Sequence, residues 1–153
     1  MRFDNAASVI AQAEFFEICD DEQQRLLAFA SERRSFASDE VIYKAGDVPA
    51  GAHILASGTL KIKPEGPGAV GKAYAISQPG TVISAMALIL AKPRGITVTA
   101  VIDCETVFVP RLAFLKLLEQ SPELAQRAVE RVQNELGSYL GALDPIGKRM
   151  KGA

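Results

Sequence analysis

The chain has 153 residues, 48% hydrophobic and 23% charged, the proportions of one ordinary globular domain long enough to bury a core. A net charge of −1 excludes the broad basic footprint of a nucleic-acid binder, and the longest apolar run, AMALILA, is too short to cross a bilayer. The N-terminus lacks a charged-then-apolar leader, and Cys19 and Cys104 lack metal-ligand spacing. The expectation is a cytoplasmic protein with reduced thiols, engaging neither nucleic acid nor membrane.

No internal repeat and no low-complexity linker divides the chain. Residues 5 to 16 read as a short helix with Val9, Ile10 and Ala13 on one side. Asp20 or Asp21 then caps a second helix, DEQQRLLAFASER, with Leu26, Leu27 and Phe29 apolar. After Arg34 the period changes. SFASDEVIYKAGD is a strand, a turn and a strand, ended by Gly46-Asp47. AHILASGTLKIKPEG is two strands hinged at Ser57-Gly58, the second alternating Leu60 and Ile62 with Lys61 and Lys63. In the loop PEGPGAVG, Pro64 and Gly66 prevent a continuing strand.

KAYAIS, ITVTAVI and TVFVP are further strands. Between the first two, ISAMALILA predicts a helix of about 2.5 turns starting after Gly80 and stopped before Pro93. From Arg111 the helical period returns in RLAFLKLLEQ. A last helix follows, with Ser121 as cap and Pro122 at its first position, to about Leu143. Short strands with regular turns, flanked by helices, predict an α+β fold around a small antiparallel β jelly-roll barrel, a cupin-like double-stranded β-helix.

Enzyme chemistry finds little here. The one histidine, His53, sits in a strand and reads as a sheet-surface residue, so neither a triad nor a multi-histidine metal site is available. No phosphate loop of Walker or Rossmann type occurs, and no carboxylate pair is marked by spacing. The distinctive stretch runs from Gly66 to Ile102. It has no acidic residue but holds Lys72, Lys92 and Arg94. A helix start beside a guanidinium fork suits a phosphate; the competing reading of Arg94 is a solvated turn residue or one paired with a surface carboxylate.

The motifs resemble the cyclic nucleotide-binding domain family, the ligand domain of catabolite activator proteins, protein kinase A regulatory subunits and gated channels. Gly46-Asp47 and AHILASGTLKI match the family's glycine-aspartate turn and following strand pair. The stretch from Gly80 through PRGITVTA matches its phosphate-binding cassette without a gap. The resemblance runs from about Phe15 to Leu143. It implies N-terminal helices over 1–32, a barrel over 33–110 with the cassette at 80–98, C-terminal helices over 111–143 and a tail at 144–153. It also implies that Arg94 holds a cyclic phosphate, supported by amides of Ala85, Met86, Ala87 and Gly95, with Ser84 and Thr97 at the site.

The family's glycine-glutamate pair is Ser84-Ala85 here. That glutamate accepts a hydrogen bond from the ribose 2′-hydroxyl, which Ala85 cannot do.

In the last helix Ala125, Val129, Val132, Leu136, Tyr139 and Leu143 recur at heptad spacing. This stripe suits either the protein's own barrel or a second subunit. The polar face, with Arg127, Arg131, Gln133 and Asn134, reads as solvated. After Leu143 only DPIGKRMKGA remains, too short for a helix-turn-helix. The expected function is a non-catalytic regulatory module with no cofactor. It would bind cyclic AMP, cyclic GMP or a related phosphate-bearing molecule between cassette and C-terminal helix, and relay this to a homodimer or effector protein. The alternative is a degenerate member with an empty pocket, serving dimerisation or protein interaction.

Overall fold

The computed structural model describes residues 2–142, with side chains described for 6–133. Helix α1 (Arg2–Gln12) is followed by a 3₁₀ turn (Glu14–Ile18) and helix α2 (Asp21–Ala30). Eight strands come next: β1 (Glu32–Phe36), β2 (Val41–Tyr43), β3 (Gly51–Ser57), β4 (Leu60–Pro64), β5 (Tyr74–Ile76), β6 (Val82–Ile83), β7 (Ile96–Ala100) and β8 (Cys104–Pro110). Helices α3 (Arg111–Gln120) and α4 (Pro122–Ala142) follow. The strands form two four-stranded antiparallel sheets, ordered β1-β8-β3-β6 and β2-β7-β4-β5. The predicted α+β jelly roll is thus the observed architecture.

Two clusters form the core. Leu55 and Ile83 of one sheet meet Tyr43, Leu60, Ile62 and Val98 of the other, filling the barrel. Ile54, Val107 and Val109 point the opposite way, where Ile10, Phe16, Phe114 and Leu124 pack the helices onto the first sheet. Burying each side chain of this size contributes about 1.5–3 kcal/mol. Strand alternation therefore serves both clusters at once: Ile54 and Leu55 are neighbours in sequence and belong to different cores.

Several local expectations hold and others do not. Asp20 is the N-cap of α2, in a reciprocal capping box with Gln23 (2.8 and 2.9 Å). Ser121 Oγ accepts from the Leu124 N–H at 3.2 Å, ahead of Pro122. The first helix does not reach residue 16. Ala13 is extended, and the 3₁₀ turn aims both Phe15 and Phe16 at Phe114, rings about 6.0 Å apart, as a continuing α-helix would not. On α2 only Leu27 and Ala28 are buried; Leu26 and Phe29 are 51% and 81% exposed, because the helix lays a narrow stripe on the sheet.

The helix expected over ISAMALILA is absent. Val82 and Ile83 pair with Ile54 and His53 instead, and Ser84 is left-handed (φ 58°, ψ 61°). A left-handed residue cannot sit inside a right-handed helix, so only a 3₁₀ turn, Ala85–Leu88, follows.

His53 is also not at a surface. Only 5% exposed, it packs against the Phe36 and Phe108 rings, its Nδ1 2.9 Å from Thr106 Oγ1. Burial, assisted by the nearby Arg34 charge, pushes the imidazole down to about 4. The unfolded chain protonates near 6.5, so between these values it binds more protons than the folded one. This contribution is complete above pH 6.5 and is lost as pH falls toward 4. Urea unfolding should show about 2 kcal/mol of His53-dependent loss between pH 7 and 4.5, absent in His53→Gln. An equal acid slope in both proteins would refute the assignment.

Cys19 and Cys104 are free and buried in different clusters, and burial raises both thiols, Cys19 to about 12. Among the described residues no three ligating side chains gather for a metal, and no helix is long and apolar enough to cross a membrane.

Candidate anion-binding site

The corner Pro93-Arg94-Gly95 is fixed through its backbone before its side chains matter. Gly46 N–H donates to Arg94 O at 2.8 Å, and Arg94 N–H donates to Asp47 O at 3.2 Å. Asp47 in turn closes its own turn, its Oδ2 accepting from Lys44 N–H at 3.0 Å. On the far side Glu65 N–H donates to Gly95 O at 3.1 Å. The Gly46-Asp47 pair singled out in the sequence is thus the buttress of Arg94.

Beside this corner opens a groove of about 770 Å³. Its walls are the β4–β5 loop (residues 65–73), Tyr74, Ser84 and the segment 93–96. The size lies within the roughly 300–1,000 Å³ common for small-molecule sites. Arg94 and Lys72 line it, and neither forms an ion pair among the described residues. The Arg94 Nε is buried with no hydrogen-bond partner. A buried donor without an acceptor costs about 1–3 kcal/mol, so the free protein carries an unmet demand for an anion or polar acceptor here.

Of the other residues expected at the site, Ser84 and Gly95 line the groove. Ser84 Oγ lies 2.6 Å from the Tyr43 hydroxyl. Burial raises the Tyr43 phenol, which therefore stays neutral, the Ser84 hydrogen bond and the Arg94 charge pulling the other way. The Ala85 and Ala87 side chains are buried, so these positions can offer only backbone. The Ala87 amide is already spent on Ser84 O at 2.8 Å. The Ala85 and Met86 amides, first in the 3₁₀ turn, donate to no carbonyl among the described residues. Thr97 lies behind the wall: it receives the Ala45 N–H at 3.0 Å and donates its hydroxyl to Glu65 Oε1.

Two residues escaped the sequence reading. Glu65 immediately precedes the acid-free stretch and is the only acid among the groove-lining residues. Arg111, first in α3, sets Nη1 2.8 Å from Pro49 O, 3.0 Å from Ala87 O and 3.3 Å from Leu90 O. It staples the 3₁₀ turn to the C-terminal helices. Only the long reach of an arginine at a strand–helix junction hinted at this.

No residue of α4 up to Gln133 lines the groove, and the side chains of the rest of the helix lie outside the described residues. The helix packs elsewhere. Leu124 and Ala128 are buried, Arg127 Nε donates to Ile18 O at 3.1 Å, and Arg131 Nη1 to Glu14 O at 2.5 Å. The two arginines expected to be solvated instead clamp α4 to the first 3₁₀ turn. Of the heptad stripe, Ala125 is half-buried, Val129 is 49% exposed and Val132 packs on the protein's own core. The side chains of Leu136 and Tyr139, and Leu143 with the tail 144–153, lie outside the described residues.

The family model for the cyclic nucleotide-binding domain matches residues 33–121. Among solved structures, the chain is similar to a protein of Ruegeria pomeroyi, at 16% identity and TM-score 0.74, covering 95% of this chain and 64% of that one. It is similar to the cyclic nucleotide-binding-like protein of Brucella abortus, at 28% identity and TM-score 0.64, covering 76% of this chain and 99% of the other. It is also similar to the regulatory domain of Toxoplasma gondii PKA, solved with cAMP, at 21% identity and TM-score 0.67, covering 86% and 50%. No curated protein matches the sequence.

Proposed function

Because the chain belongs to the cyclic nucleotide-binding domain family, we propose that it is a non-catalytic regulatory module taking cyclic AMP, cyclic GMP or a related phosphate-bearing molecule at Arg94. The observation that carries this is the buried, unpartnered Arg94 Nε in a groove whose second cation, Lys72, is also unpaired among the described residues. A cyclic phosphate offers acceptors in the planar arrangement a guanidinium fork matches. The amides of Ala85 and Met86 stand ready as further donors. The similar Toxoplasma regulatory domain, solved with cAMP, supports this choice of ligand.

Occupancy passes to the C-terminal helices through Arg111. An anion drawing on the Ala85–Leu88 turn changes the carbonyls of Ala87 and Leu90 that Arg111 holds, and Arg111 opens α3. Differential contact in two states is what shifts a conformational equilibrium. Isothermal calorimetry of the unmodified protein with cyclic AMP and with cyclic GMP tests the reading. Saturable 1:1 binding of at least one is expected, with a rise in melting temperature that grows with ligand concentration. No heat and no thermal shift with either would leave the domain as an interaction module.

The output surface in this proposal is the exposed side of the α4 stripe, shared with a second copy of the chain or an effector. Among the described residues Val129 is its exposed member, whereas Val132 is committed to the protein's own core. Val129→Glu should weaken self-association in sedimentation velocity by about tenfold while leaving the fold intact, since one charge at an apolar seam costs about 1–2 kcal/mol. A protein already monomeric at tens of micromolar removes the homodimer.

A further inference from the structure

The groove presents two opposite charges that do not pair with each other. Arg94 and Glu65 both line it, and the Glu65 amide bonds the carbonyl of the residue after Arg94. Yet no Arg94–Glu65 ion pair forms among the described residues. Glu65 is held where it is by other groups. The Thr97 hydroxyl donates to Oε1, and Lys63 Nζ lies 3.5 Å from Oε2. The Thr97 hydrogen bond, with Lys63 assisting, holds the carboxyl below the usual carboxylate range, so it is an anion at neutral pH.

An ionised carboxylate has about four acceptor positions. Thr97 and Lys63 use one on each oxygen and leave one on each, in a side chain still 42% exposed. A ligand that meets both charges of the groove carries an anion for Arg94 and a hydrogen-bond donor for Glu65. Ser84 Oγ, also on the wall, already bonds the Tyr43 hydroxyl, and Glu65 is the one ionised acceptor among the lining residues.

Resting on the function proposed above, we propose that Glu65 is a specificity-determining residue that accepts a hydrogen bond from the ligand's sugar hydroxyl. It would do from the β4–β5 loop what the buried methyl of Ala85 cannot. In a 3′,5′-cyclic nucleotide the phosphate ties up two sugar oxygens, and the 2′-hydroxyl is the one sugar donor left. The module is then selective for the ribo form over the deoxy form.

Calorimetry on the full chain, with cyclic AMP and 2′-deoxy cyclic AMP against unmodified protein, Glu65→Gln and Arg94→Ala, tests this. The unmodified protein should prefer the ribo ligand by about tenfold to a hundredfold. Glu65→Gln should lose most of that preference by weakening the ribo ligand alone. Arg94→Ala should weaken both. A preference unchanged in Glu65→Gln, or an equal loss for both ligands, overturns the role of Glu65 and leaves the Arg94 reading standing. No binding of either ligand by the unmodified protein overturns both. Melting of Glu65→Gln close to the unmodified protein shows that the change is not one of folding.

Discussion

Arg94→Ala should weaken cyclic nucleotide binding by about 100-fold or more, and should leave the free protein as stable as before or slightly more so. Two opposite effects follow from one atom. In the complex, the guanidinium makes charge-assisted hydrogen bonds, each worth about 1.5–3 kcal/mol, and alanine removes them. In the free protein, Nε is buried without a partner, a standing cost that alanine also removes. Loss of binding without loss of stability is the mark of a residue placed for a ligand.

Arg94→Lys separates charge from geometry. Lysine keeps the cation and loses the planar fork, so intermediate affinity is expected. The backbone bonds from Gly46 and to Asp47 survive every substitution at this position except proline, so the corner itself should persist. Calorimetry and thermal melting of the three proteins decide the matter. If alanine melts well below the unmodified protein, Arg94 is a structural residue and the groove lacks its anchor.

What could be read from the chain was what depends on neighbours in sequence. The capping box at Asp20, the Ser121-Pro122 start of α4 and the alternation of Leu60 and Ile62 with lysines are local chemistry, and each is present. The hinge at Ser57-Gly58 is where the chain leaves one sheet for the other. What failed depended on partners far away. ISAMALILA has helical composition, yet Val82 and Ile83 are drawn into pairing with β3, 30 positions back at the His53–Ile83 pair, and Ser84 is then left-handed. His53 alternates in a strand like any surface residue; only Phe36 and Phe108 closing over it make it internal. At the site, Arg94 was marked by its acid-free surroundings. Glu65 was not, because the residues it bonds at the groove, Gly95 and Thr97, lie far along the chain, before and within β7. Arg127 and Arg131 looked like a wet face until the first 3₁₀ turn supplied the carbonyls they hold.

Gly58→Ala is expected to cost about 3–5 kcal/mol of stability, against about 1–2 kcal/mol for Gly46→Ala, and the difference isolates packing from backbone strain. The two glycines have nearly the same backbone, φ +99° and +98°, a region that side chains rarely adopt. Alanine therefore pays a similar conformational penalty at both. Their surroundings differ. A Cβ on Gly46 would meet nothing within 4 Å, whereas one on Gly58 would lie 2.6 Å from Asp103 O and 2.6 Å from Cys104 Sγ. The sulfur cannot simply turn away, because it also sits 3.1 Å from both Thr59 O and Ile102 O. The Asp103 carbonyl is backbone at the entry to β8, the strand that joins β1 to β3, so moving it disturbs the centre of the first sheet. Adding Cys104→Ala to Gly58→Ala should recover little, since it relieves the sulfur contact and leaves the carbonyl. Urea unfolding of the two single variants and the double variant measures each step. Equal losses at Gly46 and Gly58 would mean that the β3–β4 turn yields to the added methyl, and that close approach to β8 is not what requires glycine there.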